Sequence, residues 1–403
     1  MWFGDYVTMK WWNDLWLNES FAEFTSTLAT AEATEWHDAW ATFCSGEKSW
    51  ALNQDQLSTT HPIVAPINDL NDTYVNFDGI TYAKGASVLK QLVAYVGRSE
   101  FFEGINHYLY RHAYSNATLN DLLTELEGTS GRDLKTWSAQ WLEQAGINTI
   151  ATDLHTAQDG TISELTLHQF APTDHPVLRE HRLAVGFYNE DEESGKVVRT
   201  DRIELDVDGE ATTVTEAAGK PRPQFLLTND DDLSLAFATA NLYRFDDALA
   251  RAVIWLALWD MTRDGELAAS DFIGTTLKLL STETESTTFR YALACLSTTV
   301  WHYTDRTKRA AIAQHTAQAL LDLAKQAPAG SDMQFQLISA YLTYGVEGDS
   351  AFADTVRGLL SGSLVLEGLE LDNNFRWSLV RALSSINAID EADIQQELER
   401  KDT

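Results

Sequence analysis

The spacing of apolar residues changes twice along the 403-residue chain, and this change constrains the fold more than any other feature. From Leu15 to about Gly146, apolar residues recur every three or four positions, as in helices packed around one core. Gly97 follows one such run and supplies a helix stop. Helices are predicted near Leu15–Ala33, Ile80–Val96, Ser99–Tyr114, Asn120–Leu126 and Asp133–Ala145.

Short runs with period two begin at about Asn148, and one of them contains Ile203, Leu205 and Val207. Alternation of this kind is typical of strands with one buried face. Two Asp-Gly pairs, at positions 159–160 and 208–209, separate the runs as turns. The region 147–238 is therefore predicted to be a β-sandwich.

An acidic run, Asn229–Asp232, follows the last predicted strand. A run of carboxylates between structured elements is typical of a solvated turn. A calcium loop is the alternative, because carboxylate oxygens are the ligands that calcium prefers. The sequence favours the solvated turn.

From about Phe245 to the end, helical patterns such as Arg306–Lys325 and Asn374–Ile386 follow one another with short polar connectors. Such connectors indicate antiparallel helical pairs, and the number and length of the helices favour a stacked superhelix. The chain stops in a charged helical pattern, Ile394–Thr403, so this domain is expected to be incomplete. The predicted fold is multidomain α+β, with domains at 1–146, 147–238 and 239–403.

The net charge argues against some classes of binding partner, and the cysteine content indicates the cellular location. Sixty acidic against 29 basic residues give a net charge of -31, which repels nucleic acid and anionic lipid. Cys44 and Cys295 are the only cysteines, so a reducing, cytoplasmic location is expected. No apolar stretch reaches the roughly 18 residues of a membrane-spanning helix. The oligomeric state is not predicted by the sequence.

The first 24 residues carry the strongest chemical signal. Four tryptophans fall within the first sixteen residues, although chain termini are normally polar. Glu19 lies among Trp16, Leu17 and Phe21, where a carboxylate is costly unless a cation compensates its charge. The alternative is a glutamate on the wet face of the helix. Glu23, one turn later, is either a solvated charge or a group that orients a metal-binding histidine.

Here the chain resembles the gluzincin aminopeptidases related to aminopeptidase N. The similar residues are Trp-Phe-Gly-x-x-Val-Thr from Trp2 and Trp-x-Asp-x-Trp-Leu-Asn-Glu, ending at Glu19. In that family His-Glu-x-x-His is followed, eighteen residues later, by a glutamate that binds zinc. The resemblance implies that Glu19 is this ligand, with Asn18 and Glu23 supporting the metal site. Ser20 departs from the glycine that is common after the ligand.

A second similar segment runs from Phe77 through Ala83-Lys84-Gly85 to Leu89, and the agreement continues to about Gly146. The resemblance implies that Tyr82 faces the metal, where a phenol can donate to the oxyanion of a tetrahedral intermediate. The alternative is a tyrosine with only a local packing role. If both assignments hold, Glu19 and Tyr82 lie within roughly 10 Å of each other on one concave surface.

Two parts of the family's active site are absent from the sequence. None of the ten histidines forms His-Glu-x-x-His, so the general base and two zinc ligands are missing. The Gly-x-Met-Glu-Asn segment, whose glutamate holds the substrate's amino group in this family, is missing too. We therefore expect an internal fragment that begins just after the metal-binding helix. Alone, it is expected to be inactive and not to hold stoichiometric zinc.

The resemblance implies a zinc-dependent aminopeptidase in the intact parent. Metal-activated water would remove N-terminal residues from peptides with a free N-terminus, one ion serving each chain. Two alternatives stay open. One is a non-catalytic scaffold that binds a partner through the helical superhelix, and the other is an epoxide hydrolase of the same family. Side-chain preference is not predicted.

Overall fold

A computed structural model describes residues 2–234, 236–238, 245–345 and 350–400. The chain forms two compact units, Met1–Ala257 and Leu258–Thr403, and contains both helices and largely antiparallel sheets. The described helices include none that is long and apolar enough to cross a membrane. The predicted domain boundary near residue 238 adjoins residues outside the described ones, so the three-domain layout stays a prediction.

The first part of the first unit is mainly helical. The strand β1 (Val7–Met9) pairs in parallel with β2 (Ser115–Ala117). The helices are α1 (Trp16–Ala33), α2 (Ala39–Phe43), α3 (Ser49–Asp55), α4 (Leu70–Val75), α5 (Gly85–Val96), α6 (Arg98–Arg111), α7 (Leu119–Ser130) and α8 (Lys135–Trp141). Wider π-helical turns, Cys44–Lys48 and Ile80–Lys84, precede α3 and α5. The five predicted helices are confirmed, whereas α2 to α4 were not predicted.

Local signals explain where these helices begin and end. Gly97 ends α5 with a φ of 96°, which a residue with a side chain rarely adopts. Thr118 and Asp121 form a capping box at the start of α7. Gly131 ends α7 in the left-handed conformation.

The strands that follow form two sheets in the described residues. They are β3 (Asn148–Thr156), β4 (Ile162–Phe170), β5 (His181–Glu190), β6 (Val197–Val207), β7 (Ala211–Thr213), β8 (Phe225–Asp230) and β9 (Ala236–Ala238). One sheet has the order β7-β4-β3-β9 and the other β6-β5-β8. Their apolar faces share a core that includes Ile150, Leu167, Val185 and Phe187. Within the described residues of these two sheets, the strand pairs are antiparallel except β3 with β9.

The acidic run Asn229–Asp232 is not the solvated turn that the sequence favours. Asp230 and Asp232 are almost completely buried. Asp232 forms a salt bridge with buried Lys48, and Asp230 accepts hydrogen bonds from Tyr188 at 2.7 Å and Arg199 at 2.7 Å. Cations of this chain therefore balance the charge of these carboxylates, and the Tyr188 phenol adds a hydrogen bond. This pairing also argues against the calcium loop.

The second unit is helical in its described residues. The helix α9 (Ala248–Arg263) runs from the first unit into the second. The others are α10 (Ala269–Leu279), α11 (Ser286–Thr298), α12 (Arg309–Gln326), α13 (Asp332–Thr343), α14 (Ser350–Ser361), α15 (Asn373–Ser385) and α16 (Glu391–Glu399). The helix α12 packs against α13 and α14 against α15, and Leu320, Ile338, Leu359 and Leu379 on these helices are buried. The superhelix stays a prediction, and the last three residues of Ile394–Thr403 lie outside the described ones.

Candidate active site

Glu19 lies near the start of α1, beside the buried face of the helix. That face carries Trp16, Leu17, Ser20, Phe21 and Phe24, whose spacing fits one side of an α-helix. The Glu19 side chain is half-buried at its edge. It is therefore held by a rigid element but still reachable.

Tyr82 lies in the middle of the π-helical turn Ile80–Lys84, which packs against α1. Its phenol lies beside the Glu19 carboxylate, which acts on the pKa of the phenol. Burial, the adjacent Glu19 carboxylate and the negative charge of Glu23 raise the pKa of Tyr82 to about 12. The phenol is consequently protonated, and able to donate, throughout the neutral range.

Asp78 fixes the start of the turn that carries Tyr82. Its carboxylate accepts the backbone N–H groups of Ile80 at 3.0 Å and Thr81 at 3.1 Å. The same carboxylate contacts Nε2 of His61 at 2.9 Å and the amide of Gln54. An aspartate before a helix is a recognised N-terminal signal, so Asp78 could have been identified from the sequence. Its side-chain partners could not.

A buried ion pair fixes the other end of the turn. Lys84 is completely buried, and its ammonium lies 2.8 Å from the Asp55 carboxylate. Burial raises the pKa of Asp55, but Lys84, the Thr60 hydroxyl and the Gly146 N–H together lower it below its usual value. Lys84 therefore faces an ionised partner. Nothing in the sequence pattern indicates this pair.

Between these anchors, Ser20 joins α1 directly to the turn. Its hydroxyl donates to the carbonyl oxygen of Thr81 at 2.6 Å, and both residues are buried. Ser20 follows Glu19, and Thr81 precedes Tyr82. The sequence singled out Ser20 only as a departure from glycine.

The two residues predicted to support the metal site differ in their surroundings. The charge of Glu23 acts on Tyr82, and burial together with the charge of Glu47 raises the pKa of Glu23. Asn18 instead donates to the sulfur of Met9 at 3.8 Å and lies against Gly4. The Glu23 side chain thus lies near Tyr82 and Glu19. Asn18 instead contacts the segment that precedes α1. Both supporting roles stay predictions.

The zinc ion that the resemblance implies requires more ligands than Glu19 alone. A catalytic zinc needs three protein ligands. The described residues contain no group of three histidine, cysteine or acidic side chains that could hold a metal. Glu19, which lies beside Tyr82, supplies one suitable carboxylate. These residues alone therefore do not fit a complete zinc site.

Comparison with known proteins adds independent information. Residues 1–141 match the model of the peptidase family M1 domain, and residues 225–403 match that of the ERAP1-like C-terminal domain. Aminopeptidase N of Streptomyces lividans is 45% identical over the whole chain, which covers 49% of that protein. Leucyl aminopeptidase of Saccharolobus solfataricus is 43% identical over 36% of this chain and 18% of its own length. The chain thus spans about half, or less, of the length of these curated relatives. The two family matches and the identity along the whole chain show that it belongs to the aminopeptidase N family.

Proposed function

We propose that this chain carries part of the active site of a zinc-dependent aminopeptidase that removes N-terminal residues from peptides with a free N-terminus. Glu19 is assigned as a carboxylate ligand of the metal and Tyr82 as a catalytic hydrogen-bond donor. The two histidines and the general base of such a site are assigned to a His-Glu-x-x-His segment that the 403 residues do not contain. A cytoplasmic location remains part of the proposal.

One observation carries this assignment: the phenol of Tyr82 lies beside the carboxylate of Glu19, although 62 positions separate the two residues in sequence. A tyrosine with only a packing role needs no contact with this particular glutamate. Tyr82 is half-buried and protonated, so its hydroxyl can turn from Glu19 to a substrate oxygen. The printed names of the relatives, aminopeptidase N and leucyl aminopeptidase, support the reaction class.

The test restores the missing ligands. The joined protein, in which the upstream residues are restored with His-Glu-x-x-His directly before Met1 and the Gly-x-Met-Glu-Asn segment ahead of it, should bind one zinc ion and hydrolyse amino-acid anilides. Tyr82→Phe should then lower kcat by about two to three powers of ten, the usual effect of losing one oxyanion donor, with the zinc content unchanged. Glu19→Ala should remove zinc and activity together.

Tyr110→Phe is the matched control, since Tyr110 is 83% exposed on α6. It should leave kcat within about twofold. A Tyr82→Phe variant with the kcat of this control, or one that loses zinc, would overturn the role of Tyr82. If the joined protein binds zinc but hydrolyses no anilide, the non-catalytic scaffold replaces the aminopeptidase.

The chain without added residues provides the complementary measurement. It should hold less than one zinc ion per chain after dialysis against a mild chelator, because one carboxylate cannot replace three ligands. Metal analysis decides this directly. A tightly held equivalent of zinc would show that the ligand assignment is wrong.

A further inference from the structure

The contact between α1 and the turn that carries Tyr82 is unusually close. Ser20 has no exposed surface, and its hydroxyl lies 2.6 Å from the Thr81 carbonyl oxygen. A side chain at Gly85 would place its first carbon 1.9 Å from this same hydroxyl oxygen. Ser20 therefore occupies the space that glycine leaves free, and the two helices meet at this point.

The backbone of the turn explains why such a contact matters. In a π-helical turn each N–H reaches a carbonyl five residues back, and such turns are frequent at functional sites. The N–H of Gly85 reaches the carbonyl of Ile80 in this way. Because the wider turn departs from the regular helical ladder, a side chain that contacts its carbonyls can set its shape. Ser20 supplies that contact to Thr81.

We propose that Ser20 is a positioning residue for the Glu19–Tyr82 pair. Its hydroxyl fixes the Thr81 carbonyl, and so sets where the neighbouring phenol lies relative to the Glu19 carboxylate. Ser20 and Glu19 are adjacent on one rigid helix, so one contact places both groups. The catalytic consequence rests on the function proposed above, whereas the positional part concerns only this chain.

The positional part is tested on the chain itself. Tyrosine rings labelled with carbon-13 give one set of NMR signals each, and the set lost in Tyr82→Phe identifies Tyr82. Ser20→Ala should displace or broaden this set, because the turn loses its contact with α1. Ser87→Ala is the matched control. Ser87 is also buried, on α5, but its hydroxyl makes no hydrogen bond among the described residues. An equal response in both variants would overturn the inference.

An exchange of side chains separates the hydrogen bond from packing. Gly85→Ala should lower the melting temperature, because the added carbon meets the Ser20 hydroxyl. Ser20→Gly combined with Gly85→Ala removes the clash and should recover most of that loss. The Tyr82 signals should nevertheless stay displaced, since the hydrogen bond is still absent. Native Tyr82 signals in the exchanged protein would show that packing alone positions the turn.

Kinetics of the joined protein test the catalytic consequence. Ser20→Ala should lower kcat by about tenfold and leave KM within about twofold, because a misplaced donor acts on the transition state. In a Tyr82→Phe background the same substitution should cause no further loss, since its effect passes through Tyr82. A full additional loss would refute the inference. If Tyr82→Phe leaves kcat unchanged while Ser20→Ala still displaces the NMR signals, the proposed function fails and the positioning role stands.

Discussion

The two units of the chain place their charged groups differently. In the first unit, buried cations pair with residues distant in sequence, as Lys84 does with Asp55 and Lys48 with Asp232. In the second unit, two described pairs lie within a single helix and face solvent, whereas Arg263 with Asp260 is largely buried. Lys325 with Asp322, for example, is about half exposed.

The difference shows which unit depends on exact geometry. A buried ion pair adds little net stability, yet loss of one partner is costly because the other charge stays buried and uncompensated. Exposed pairs are worth much less, because solvent screens them. The buried pair Lys84–Asp55 anchors the turn that carries Tyr82, two residues away. The buried pairs of the first unit should therefore tolerate loss of one partner poorly, and the exposed pairs of the second unit should tolerate it well.

Removal of one cation from each unit should have the largest effect where the cation is buried. Lys84→Ala leaves Asp55 buried and unpaired, and should lower the free energy of unfolding of the first unit by about 3 to 5 kcal/mol. Lys325→Ala is the control in the second unit and should cost less than about 1 kcal/mol. Denaturant titration of each variant measures both values. Equal costs would show that burial does not separate the two units.

One ion pair of the second unit should contribute an amount of stability between those of the buried Lys84–Asp55 pair and the exposed Lys325–Asp322 pair. Arg376 on α15 contacts both carboxylate oxygens of Glu397 on α16, at 2.5 and 2.6 Å, with both side chains largely buried. The rest of α16 is exposed apart from the half-buried Ile394. Arg376→Ala should therefore lower the local opening free energy of α16 by about 2 kcal/mol, the scale of hydrogen bonds to a charged group.

Amide hydrogen exchange along α16 gives this value directly. The control is Arg381→Ala, an exposed arginine on the same helix α15, which should leave exchange in α16 unchanged. If both substitutions open α16 equally, the Arg376–Glu397 pair does not hold this helix. The second unit would then contain no ion pair of consequence at this site.

Much of the fold follows from local pattern, but some elements do not. The predicted segments Leu15–Ala33 and Ile80–Val96 are long enough to show a full apolar stripe, and both are helical. The helices α2, α3 and α4 have five to seven residues, too few for a clear period. Asp208-Gly209 is a turn, as expected, but it leads from one sheet to the other, because β6 pairs with β5 and β7 with β4. Spacing alone carries no information on which strands pair.

Some residues of the candidate site can be identified from the sequence, whereas the contacts that hold them cannot. Glu19 and Tyr82 lie in motifs that can be recognised from sequence, and the structure brings them into contact. The contact of Ser20 with Thr81 spans 61 positions, and that of Lys48 with Asp232 spans 184. A single sequence contains no signal for such pairs. For the same reason the run Asn229–Asp232 was wrongly predicted to be solvated, since its cationic partners lie far away along the chain.

The smallest predicted effect concerns a pair whose charge depends on pH, His61 with Asp78. Burial and the charge of Lys84 lower the pKa of His61. Its hydrogen bonds to Asp78 and to the Pro62 carbonyl, together with the charge of Asp78, raise the pKa by more, so that the pKa lies above its usual value. The folded protein therefore binds this proton more tightly than the unfolded chain. The resulting stability is fully present below the unfolded value, about 6.5, and is lost as pH rises through the folded pKa.

His61→Gln should consequently cost about 1 kcal/mol at pH 5.5, and less as the pH increases. Denaturant titrations of wild type and variant between about pH 5.5 and 8 measure this trend. His155→Gln is the matched control, since the contact of His155 with Asp153 is more than half exposed on both sides. Its cost should stay near zero throughout. A cost of His61→Gln that grows with pH would mean that His61 is held neutral in the folded protein. Asp78 would then be anchored by Gln54 and the backbone alone, and the turn that carries Tyr82 would not respond to pH through His61.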